Sequence, residues 1–360
     1  MALTNAECHP SISWYARRMS HAASLGTTAR TTPAPPLAVL GAGAWGTVIA
    51  SLLARNGHFV RLWTHRPDHA QRMRDDRHND TYLPGMRLPP NVEPTSDLRA
   101  ALSDAAIAFL AVPSRAVRGL VERLAGLPRP AGIVSCAKGI EIGTFRRLSE
   151  VIAQGLDGLP IAALSGPNLA GEIALGMPAA TTVASEDAGF AKRVQRLLRQ
   201  PTFRVYTRED VIGVETAGAL KNVIALAAGM SDGLGLGDNS KATIITRGLA
   251  ELVRLGTALG GLPRTFYGLA GLGDMVATCT SARSRNHTAG ERIARGATLA
   301  ELEAEHLTAE GIPTVRAVHE HASQNAIDLP ITREVYHVVY DGKDPHAAIA
   351  DLMAREVKAE

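Results

Sequence analysis

From Leu37 onwards, short apolar runs alternate with helical patterns. One helical pattern covers Thr47–Arg55 and is followed by Asn56 and Gly57, which are typical of a helix C-terminus. Such alternation predicts a parallel sheet covered by helices on both faces. The runs predicted as buried strands are Leu37–Leu40, Phe59–Trp63, Ile107–Val112, Ile133–Cys136, Ile161–Leu164, Thr181–Ala184 and Phe203–Tyr206.

The strand signals stop after about Val211, and Ala/Leu/Val patterns broken by glycines follow to the end. We therefore predict an α/β fold with a doubly wound parallel sheet over residues 37–210 and an all-α C-terminal domain over residues 211–360. Residues 1–36 combine Arg, Ser and Thr with a proline-rich end and are predicted to lie outside the fold. Three interpretations stay open for them: a flexible tail, a transit-like segment, or a start assigned too early, with Met19 as the alternative start.

Composition narrows the possible functions. The 38 Lys+Arg and 35 Asp+Glu give a net charge of +3, too small to predict a nucleic-acid partner. The longest uninterrupted apolar run, Ala105–Val112, has strand length and falls short of the roughly 18–20 residues of a membrane span, so no membrane insertion is expected. Cys8, Cys136 and Cys279 have no paired spacing, which argues against disulfides or a cysteine zinc site and favours a cytoplasmic location; no metal is expected.

The segment Gly41–Gly46 reads G-A-G-A-W-G, follows the first predicted strand and opens a helix. In this context the motif predicts a Rossmann-type sheet that binds NAD or NADP. Gly41 permits the tight turn, Gly43 lets a pyrophosphate approach the backbone, and Gly46 lets helix and strand pack closely. The helix N-terminus then offers N–H groups to the phosphates. A plain strand–helix turn is the alternative.

The residues after the second predicted strand bear on the choice between NAD and NADP. An acidic residue usually holds the ribose hydroxyls of NAD at this place. Here Thr64, His65 and Arg66 follow the strand, and the first acid is Asp68. Because cations suit a 2′-phosphate, we expect NADP(H) to be accepted at least as well as NAD(H). The alternative is a solvated surface pair.

Three charged residues stand alone in apolar segments. Lys221 is the only ionisable side chain between Thr216 and Ser231. An unpaired buried charge costs several kcal/mol or shifts its pKa, so Lys221 is predicted to be a general acid/base near neutral pH. Lys138 follows a predicted strand, where ligands collect in open α/β sheets. Asp274 is expected either to cap a helix or to pair with a lysine.

Ser284, Arg285 and Asn286 form a basic polar cluster shortly after Asp274. Arginine offers paired donors that match a phosphate or a carboxylate. Alone, the cluster would be interpreted as a surface loop. Combined with two lysines, an acid and a dinucleotide turn, it predicts an anion clamp for the substrate.

Several motifs, in order, resemble the family of bacterial-type NAD(P)-dependent glycerol-3-phosphate dehydrogenases over about residues 37–352. The resemblance implies reversible hydride transfer between NAD(P)H and glycerone phosphate, which gives sn-glycerol 3-phosphate for phospholipid synthesis. It also implies an N-terminal Rossmann domain, a helical C-terminal domain and a homodimer. The motifs are Gly41–Thr47, Leu164–Asn168, Lys221–Ala225, Gly271–Asp274, Ser284–Asn286 and Pro330–Thr332.

The same resemblance implies roles for individual residues. Lys221 would accept the proton in alcohol oxidation and donate it in ketone reduction, while Lys138 contacts the substrate oxygens and Asp274 orients or tunes the lysine. The implied substrate contacts are Lys138, Gly166, Asn168, Lys221, Asn222, Asp274, Thr278, Ser284, Arg285 and Asn286. The implied cofactor contacts are Gly41, Gly43, Ala44, Trp45, Gly46, His65, Arg66, Lys138, Ala170, Arg285 and Glu310.

Two positions depart from the family pattern. Ala44 and Asn168 each stand where a hydroxyl side chain is frequent, which bears on fine contacts and not on the reaction class. Two other functions stay open. One is another two-domain dehydrogenase of β-hydroxyacids or ketopantoate, which shares a Rossmann half and a helical half with a lysine. The other is a dinucleotide sensor without catalysis.

Overall fold

The computed structural model describes residues 34–305 and 307–356. Residues 1–36 are predicted to lie outside the fold. Of these, residues 1–33, which include Cys8, are not among the described residues. One sheet of eight strands runs through the described part of the chain. Its strands are β1 (Leu37–Leu40), β2 (Val60–Trp63), β3 (Val92–Thr95), β4 (Ile107–Leu110), β5 (Ile133–Ser135), β6 (Ile161–Ser165), β7 (Ala179–Ala184) and β8 (Phe203–Arg208).

Helices cover both faces of this sheet and form the chain beyond β8. A π-helical turn, Leu269–Gly273, leads directly into the helix that begins at Asp274. The helices are α1 (Ala44–Arg55), α2 (Pro67–Asp76), α3 (Leu98–Leu102), α4 (Val117–Leu124), α5 (Leu148–Gly155), α6 (Ala170–Ala174), α7 (Ala188–Leu198), α8 (Val211–Gly233), α9 (Gly237–Ala258), α10 (Pro263–Phe266), α11 (Asp274–Thr280), α12 (Arg285–Ala294), α13 (Leu299–Ala304), α14 (Gly311–Gln324), α15 (Pro330–Tyr340) and α16 (Pro345–Met353).

The order of strands in the sheet is β3-β2-β1-β4-β5-β6-β7-β8. β1 pairs with β2 on one side and with β4 on the other, and both pairings are parallel. Strands β1 to β3 thus follow one another toward one edge of the sheet, whereas β4 and the later strands lie on the other side of β1. The strand order therefore reverses between β1 and β4. In open α/β sheets a ligand crevice forms beyond the carboxyl ends of the strands at this place.

The predicted fold class is confirmed, with two corrections in the sheet. β7 and β8 run antiparallel to the other strands. The reason is that the connection between β6 and β7, residues 166–178, contains only the short helix α6, so β7 starts at the end of the sheet where β6 stops. A parallel connection needs a longer crossover that returns to the opposite end. The apolar pattern also overlooks β3, because Glu93 and Pro94 interrupt it; an edge strand tolerates such a proline.

The central helix of the second half is α8, which is buried along most of its length and packs against α9, α11, α12 and α14. By length and composition α8 could cross a membrane, and 94% of its apolar window is buried inside the protein. The search for uninterrupted apolar runs overlooks it because Glu215 and Lys221 divide the helix. Burial on all sides is typical of a core helix.

Glycines let α8 and α12 approach until backbone meets backbone. A Cβ atom on Gly229 would lie 2.0 Å from the carbonyl oxygen of His287. One on Gly290 would lie 2.1 Å from the carbonyl oxygen of Leu226. Real Cβ atoms do not approach this closely, so only glycine fits at either position. This contact fixes α12, and the polar cluster at its start, on the helix that carries Lys221.

We expect Gly229→Ala to lower the free energy of unfolding by about 1–3 kcal/mol, because the added methyl group overpacks the contact between α8 and α12. The matched control is Gly119→Ala on α4, where a Cβ atom meets nothing within 4 Å. Alanine should be neutral or stabilising there, by up to about 1 kcal/mol. Urea unfolding of both variants measures the difference. Equal stability of the two variants would contradict the proposed close contact.

Candidate active site

The glycine turn after β1 has the conformation that the sequence predicts. Gly41 has φ +119°, and a Cβ atom on it would lie 2.5 Å from the carbonyl oxygen of Ala111, which follows β4. A Cβ atom on Gly46 would lie 1.8 Å from the carbonyl oxygen of Gly41. At Gly43 a Cβ atom would meet nothing within 4 Å. Two of the glycines are thus required by the fold, and the third leaves its backbone open.

The residues around this turn fit a dinucleotide. Gly43 is the N-cap of α1, and no side chain caps the helix there, so the N–H groups of its first turn are available to phosphate oxygens. Trp45, in that first turn, has a buried indole N–H with no hydrogen-bond partner among the described residues. The turn lies beside Ala111, at the crevice between β1 and β4. These features match the pyrophosphate site of a Rossmann-type sheet.

Of the three residues that follow β2, Thr64 is buried, whereas His65 and Arg66 lie at the surface. His65 is exposed, and Arg66 forms an ion pair with Asp68 at 2.8 Å. The same Asp68 carboxylate also pairs with Arg72 at 3.2 Å. Arg66 is therefore partly neutralised by the acid that follows it in the sequence. At a half-exposed position such a pair contributes little to stability, so the guanidinium is able to exchange partners.

The three lone charges of the sequence meet at one point. The carboxylate of Asp274 contacts the Lys138 Nζ atom at 2.6 Å and the Lys221 Nζ atom at 3.1 Å. Lys221 also donates a hydrogen bond to the hydroxyl of Thr278 at 2.7 Å, and that hydroxyl donates to the backbone carbonyl of Asp274 at 2.6 Å. The prediction that Asp274 caps a helix or pairs with a lysine is thus confirmed in its second form, with two lysines in place of one.

Burial sets the electrostatics of this cluster. The exposed fractions of the Lys221 and Asp274 side chains are 7% and 3%, against 17% for Lys138. Desolvation lowers the pKa of Lys221 to about 8; the Asp274 carboxylate raises it, and the Lys138 ammonium lowers it. An amine with a pKa near 8 both donates and accepts protons close to neutral pH. The cluster is therefore suited to acid/base chemistry.

Two local features of the backbone bring the three charges together. On α8, Gly218 lies one turn before Lys221, and a Cβ atom there would lie 2.7 Å from Ser165 Oγ and 3.6 Å from Lys138 Cγ. Its missing side chain lets α8 approach the end of β6. On the other side, the π-helical turn Leu269–Gly273 ends at Asp274, the first residue of α11. π-Helical turns are rare and frequently lie at functional sites.

The turn after β6 adds polar groups beside Lys138. Gly166 has φ +152°, and its carbonyl oxygen accepts a hydrogen bond from Lys138 Nζ at 2.8 Å. The side chain of Asn168 donates to the hydroxyl of Thr181 at 3.1 Å, while its buried Oδ1 atom has no partner in the described part of the chain. Ala170 begins α6 next to these groups. The turn therefore offers one unused acceptor.

The predicted anion clamp lies at the start of α12. Ser284 is the N-cap and accepts a hydrogen bond from the backbone N–H of His287. Asn286 donates to the Asn222 side chain at 2.9 Å and accepts from the backbone N–H of Gly311 at 2.8 Å. The two amide side chains thus tie α8, α12 and α14 together, in addition to any role toward a ligand.

Arg285, the first residue of α12, is exposed and has no hydrogen bond or ion pair within residues 34–305 and 307–356. Its guanidinium is therefore available to an anion. Arg285 also lies at the N-terminus of a helix, where the positive end of the helix dipole favours negative charge. Arg285 precedes Asn286, whose side chain bonds that of Asn222, the residue after Lys221 on α8.

Glu310 joins the helical half to the crevice of the sheet. Its carboxylate accepts hydrogen bonds from the backbone N–H of Ser114 at 3.2 Å and from the Ser114 hydroxyl. Sequence reasoning missed Ser114. The signal was available, because Ser114 follows β4, and loops after the strands beside the reversal point line the ligand crevice.

The sheet, the glycine turn and the buried Lys–Asp–Lys cluster define the class of protein: an oxidoreductase that uses a dinucleotide. The family model for the N-terminus of NAD-dependent glycerol-3-phosphate dehydrogenase matches residues 36–191, and the model for its C-terminus matches residues 210–350. The chain belongs to this family. The predicted resemblance and the predicted enzyme class, with NAD(P) as cofactor, are confirmed.

Individual relatives agree over nearly the whole chain. Glycerol-3-phosphate dehydrogenase (NAD(P)+) from Moorella thermoacetica is 50% identical over 322 residues, which cover 89% of this chain and 96% of that protein. The crystal structure of glycerol-3-phosphate dehydrogenase from Coxiella burnetii has a TM-score of 0.86 at 39% identity and covers 90% of this chain and 100% of that chain. A ketopantoate reductase from Ralstonia eutropha has a TM-score of 0.56 at 18% identity over 87% of this chain and 99% of that chain, a likeness of fold alone.

Proposed function

We propose that the chain catalyses reversible hydride transfer between NAD(P)H and glycerone phosphate, and that it supplies sn-glycerol 3-phosphate for phospholipid synthesis. The observation that carries this proposal is the pair of lysines on one carboxylate, Lys138 and Lys221 on Asp274, in a buried position. Reduction of a ketone needs a proton at the oxygen and positive charge beside it as the alkoxide develops. The two ammonium groups meet both needs.

In this mechanism Lys221 donates the proton to the ketone oxygen in reduction and accepts it from the alcohol in oxidation. Lys138 contacts the substrate oxygens, and its own position is held by Asp274 and by the Gly166 carbonyl. Asp274 orients Lys221 and keeps part of its preference for the protonated form. The bound dinucleotide supplies the hydride chemistry, so these residues provide orientation, the proton and charge stabilisation.

The proposed site has two further parts. The phosphate of the substrate is held by Ser284, Arg285 and Asn286, and Arg285 carries the free guanidinium. Asn222, Thr278, Gly166 and Asn168 complete the substrate side. The proposed cofactor contacts are Gly41, Gly43, Ala44, Trp45, Gly46, His65, Arg66, Lys138, Ala170, Arg285 and Glu310.

We also propose how the chain is organised around this reaction. Residues 37–210 form the dinucleotide-binding domain and residues 211–360 the helical domain that carries Lys221. The family resemblance supports a homodimer in the cytoplasm, and unpaired cysteines support a reducing compartment. Light scattering of the purified protein and fractionation of cells test these two points.

The direct experiment is an assay of the purified protein with glycerone phosphate and either NADPH or NADH. We expect oxidation of both, with kcat/KM for NADPH at least equal to that for NADH, because cations and not an acid follow β2. Ketopantoate in place of glycerone phosphate is the matched control and should give no turnover. Bound dinucleotide without turnover would favour a sensor, and a strong preference for NADH would contradict the expectation about NADP.

We expect Lys221→Ala to lower kcat by about 10²–10⁴, the usual effect of losing a general acid. In the parent enzyme, ketone reduction needs protonated Lys221 and should decline as the pH rises through about 8, while alcohol oxidation should increase through the same range. Lys221→Ala should lose both inflections. The measurement is the pH dependence of kcat in the two directions.

Two controls accompany this prediction. Lys221→Ala should still bind NADPH, since the glycine turn is separate from the lysine. Asp274→Asn removes a carboxylate that raises the pKa of Lys221, so its inflections should move to lower pH. An unchanged kcat in Lys221→Ala, or an unmoved inflection in Asp274→Asn, would remove these residues from the proposed roles.

We expect Arg285→Ala to raise KM for glycerone phosphate by about 10–100-fold, because a charge-assisted hydrogen bond to the phosphate is lost. The unphosphorylated ketone glycerone should show little change in the same variant. Arg283→Ala, at a neighbouring exposed arginine that already pairs with Glu172 at 3.6 Å, is the control. Steady-state kinetics with both ketones distinguish the cases. Equal damage with the two ketones would contradict the clamp.

A further inference from the structure

A cleft of about 700 Å³ lies outside the site described above. It is bounded by β7, β8 and α7 on the side of the sheet and by Leu262, Arg264, Gly268 and Leu269 on the side of the helical half. None of the candidate substrate or cofactor residues lines it. Its nearest connection to the active site is the π-helical turn, which begins at the cleft and ends before Asp274. The cleft is therefore a separate feature of the molecule.

Three cations line this cleft, namely Lys192, Arg208 and Arg264. None of the three forms an ion pair or a side-chain hydrogen bond with any residue in the described part of the chain. Other arginines do form ion pairs; Arg118, for example, contacts Glu141 at 2.6 Å. Lys192 and Arg264 are exposed and Arg208 is half-buried, so all three side chains are available to an anion that enters the cleft.

The acidic residues of the cleft neutralise these cations only in part. Asp210 is occupied, because its carboxylate accepts hydrogen bonds from the N–H of Gly213 at 2.8 Å, the N–H of Leu262 at 2.9 Å and the Thr265 hydroxyl at 2.5 Å. Glu209 is the other acid in the lining, and it makes no ion pair within the described residues. With three cations against two acids, the lining keeps one positive charge in excess.

The remaining lining defines what kind of anion fits. The hydroxyls of Thr182 and Thr207 can donate hydrogen bonds, as phosphate oxygens require. Tyr206, which is 46% exposed, and Leu262, which is 44% exposed, offer apolar surface next to the cations. A free inorganic ion uses only the cations and hydroxyls. A phosphate ester with a carbon body uses both kinds of surface.

We propose that this cleft is a second ligand site, which binds a small organic phosphate through Lys192, Arg208 and Arg264. The guanidinium of Arg208 lies against Gly268, since a Cβ atom on that glycine would be 3.2 Å from its Nη2 atom. Gly268 in turn accepts a hydrogen bond from the N–H of Gly273, the residue before Asp274. The ligand is therefore held next to the segment that positions the carboxylate of the active site.

The experiment measures binding of phenyl phosphate and of inorganic phosphate by calorimetry, without cofactor or turnover. The variants are Lys192→Ala/Arg264→Ala, which empties the cleft of two cations, and Arg285→Ala, which acts at the proposed active site. Arg193→Ala is the matched control, because Arg193 follows Lys192 on α7, is exposed and does not line the cleft. Glycerone phosphate reduction is assayed in every variant.

We expect the parent protein and Arg193→Ala to bind two phenyl phosphate molecules per chain. The double variant should lose one of them, with affinity at that site reduced about tenfold or more, while its turnover stays unchanged. Arg285→Ala should retain the cleft site. Binding of phenyl phosphate should exceed that of inorganic phosphate. Undiminished binding in the double variant, or equal affinities for the two compounds, would overturn the proposal whatever the assay of turnover shows.

Discussion

The carboxylate of Asp274 between the ammonium groups of Lys138 and Lys221 is the interaction on which the site depends. Two cations that share one carboxylate repel each other strongly when little water screens them. A carboxylate between them lets both stay in place, yet it leaves one positive charge in excess. Burial lowers the pKa of Lys221, and the Lys138 ammonium adds to this effect while the Asp274 carboxylate opposes it. The excess positive charge provides a field that stabilises negative charge as it develops nearby.

The rest of the molecule brings this cluster together from distant parts of the chain. Lys138 comes from the loop after β5, Lys221 from the middle of the buried helix α8, and Asp274 from the start of α11, directly after the π-helical turn. Close approach of these elements needs small residues, which explains why Gly218 faces Ser165 and why glycines line the contact between α8 and α12. The low aromatic content of the chain, 4%, agrees with packing by close backbone contact.

Much of the fold follows from local patterns. Seven of the eight strands coincide with apolar runs, and α1 ends at Arg55, where Asn56 and Gly57 predict an end. The exceptions have physical causes. β3 is an edge strand whose polar residues carry no apolar signal, and the reversed direction of β7 depends on how the connection after β6 folds. Neither property is encoded by the period of hydrophobic residues.

The sequence alone determined the glycine turn and the three isolated charges, because a charge surrounded by apolar residues must find a partner or change its protonation state. It did not determine which partner. That Asp274 serves both lysines, that Asn286 joins three helices and that Glu310 contacts Ser114 depend on side chains far apart in the chain. Only the packing of the helices against one another and against the sheet brings such groups within hydrogen-bond distance, and that packing is a property of the whole tertiary structure.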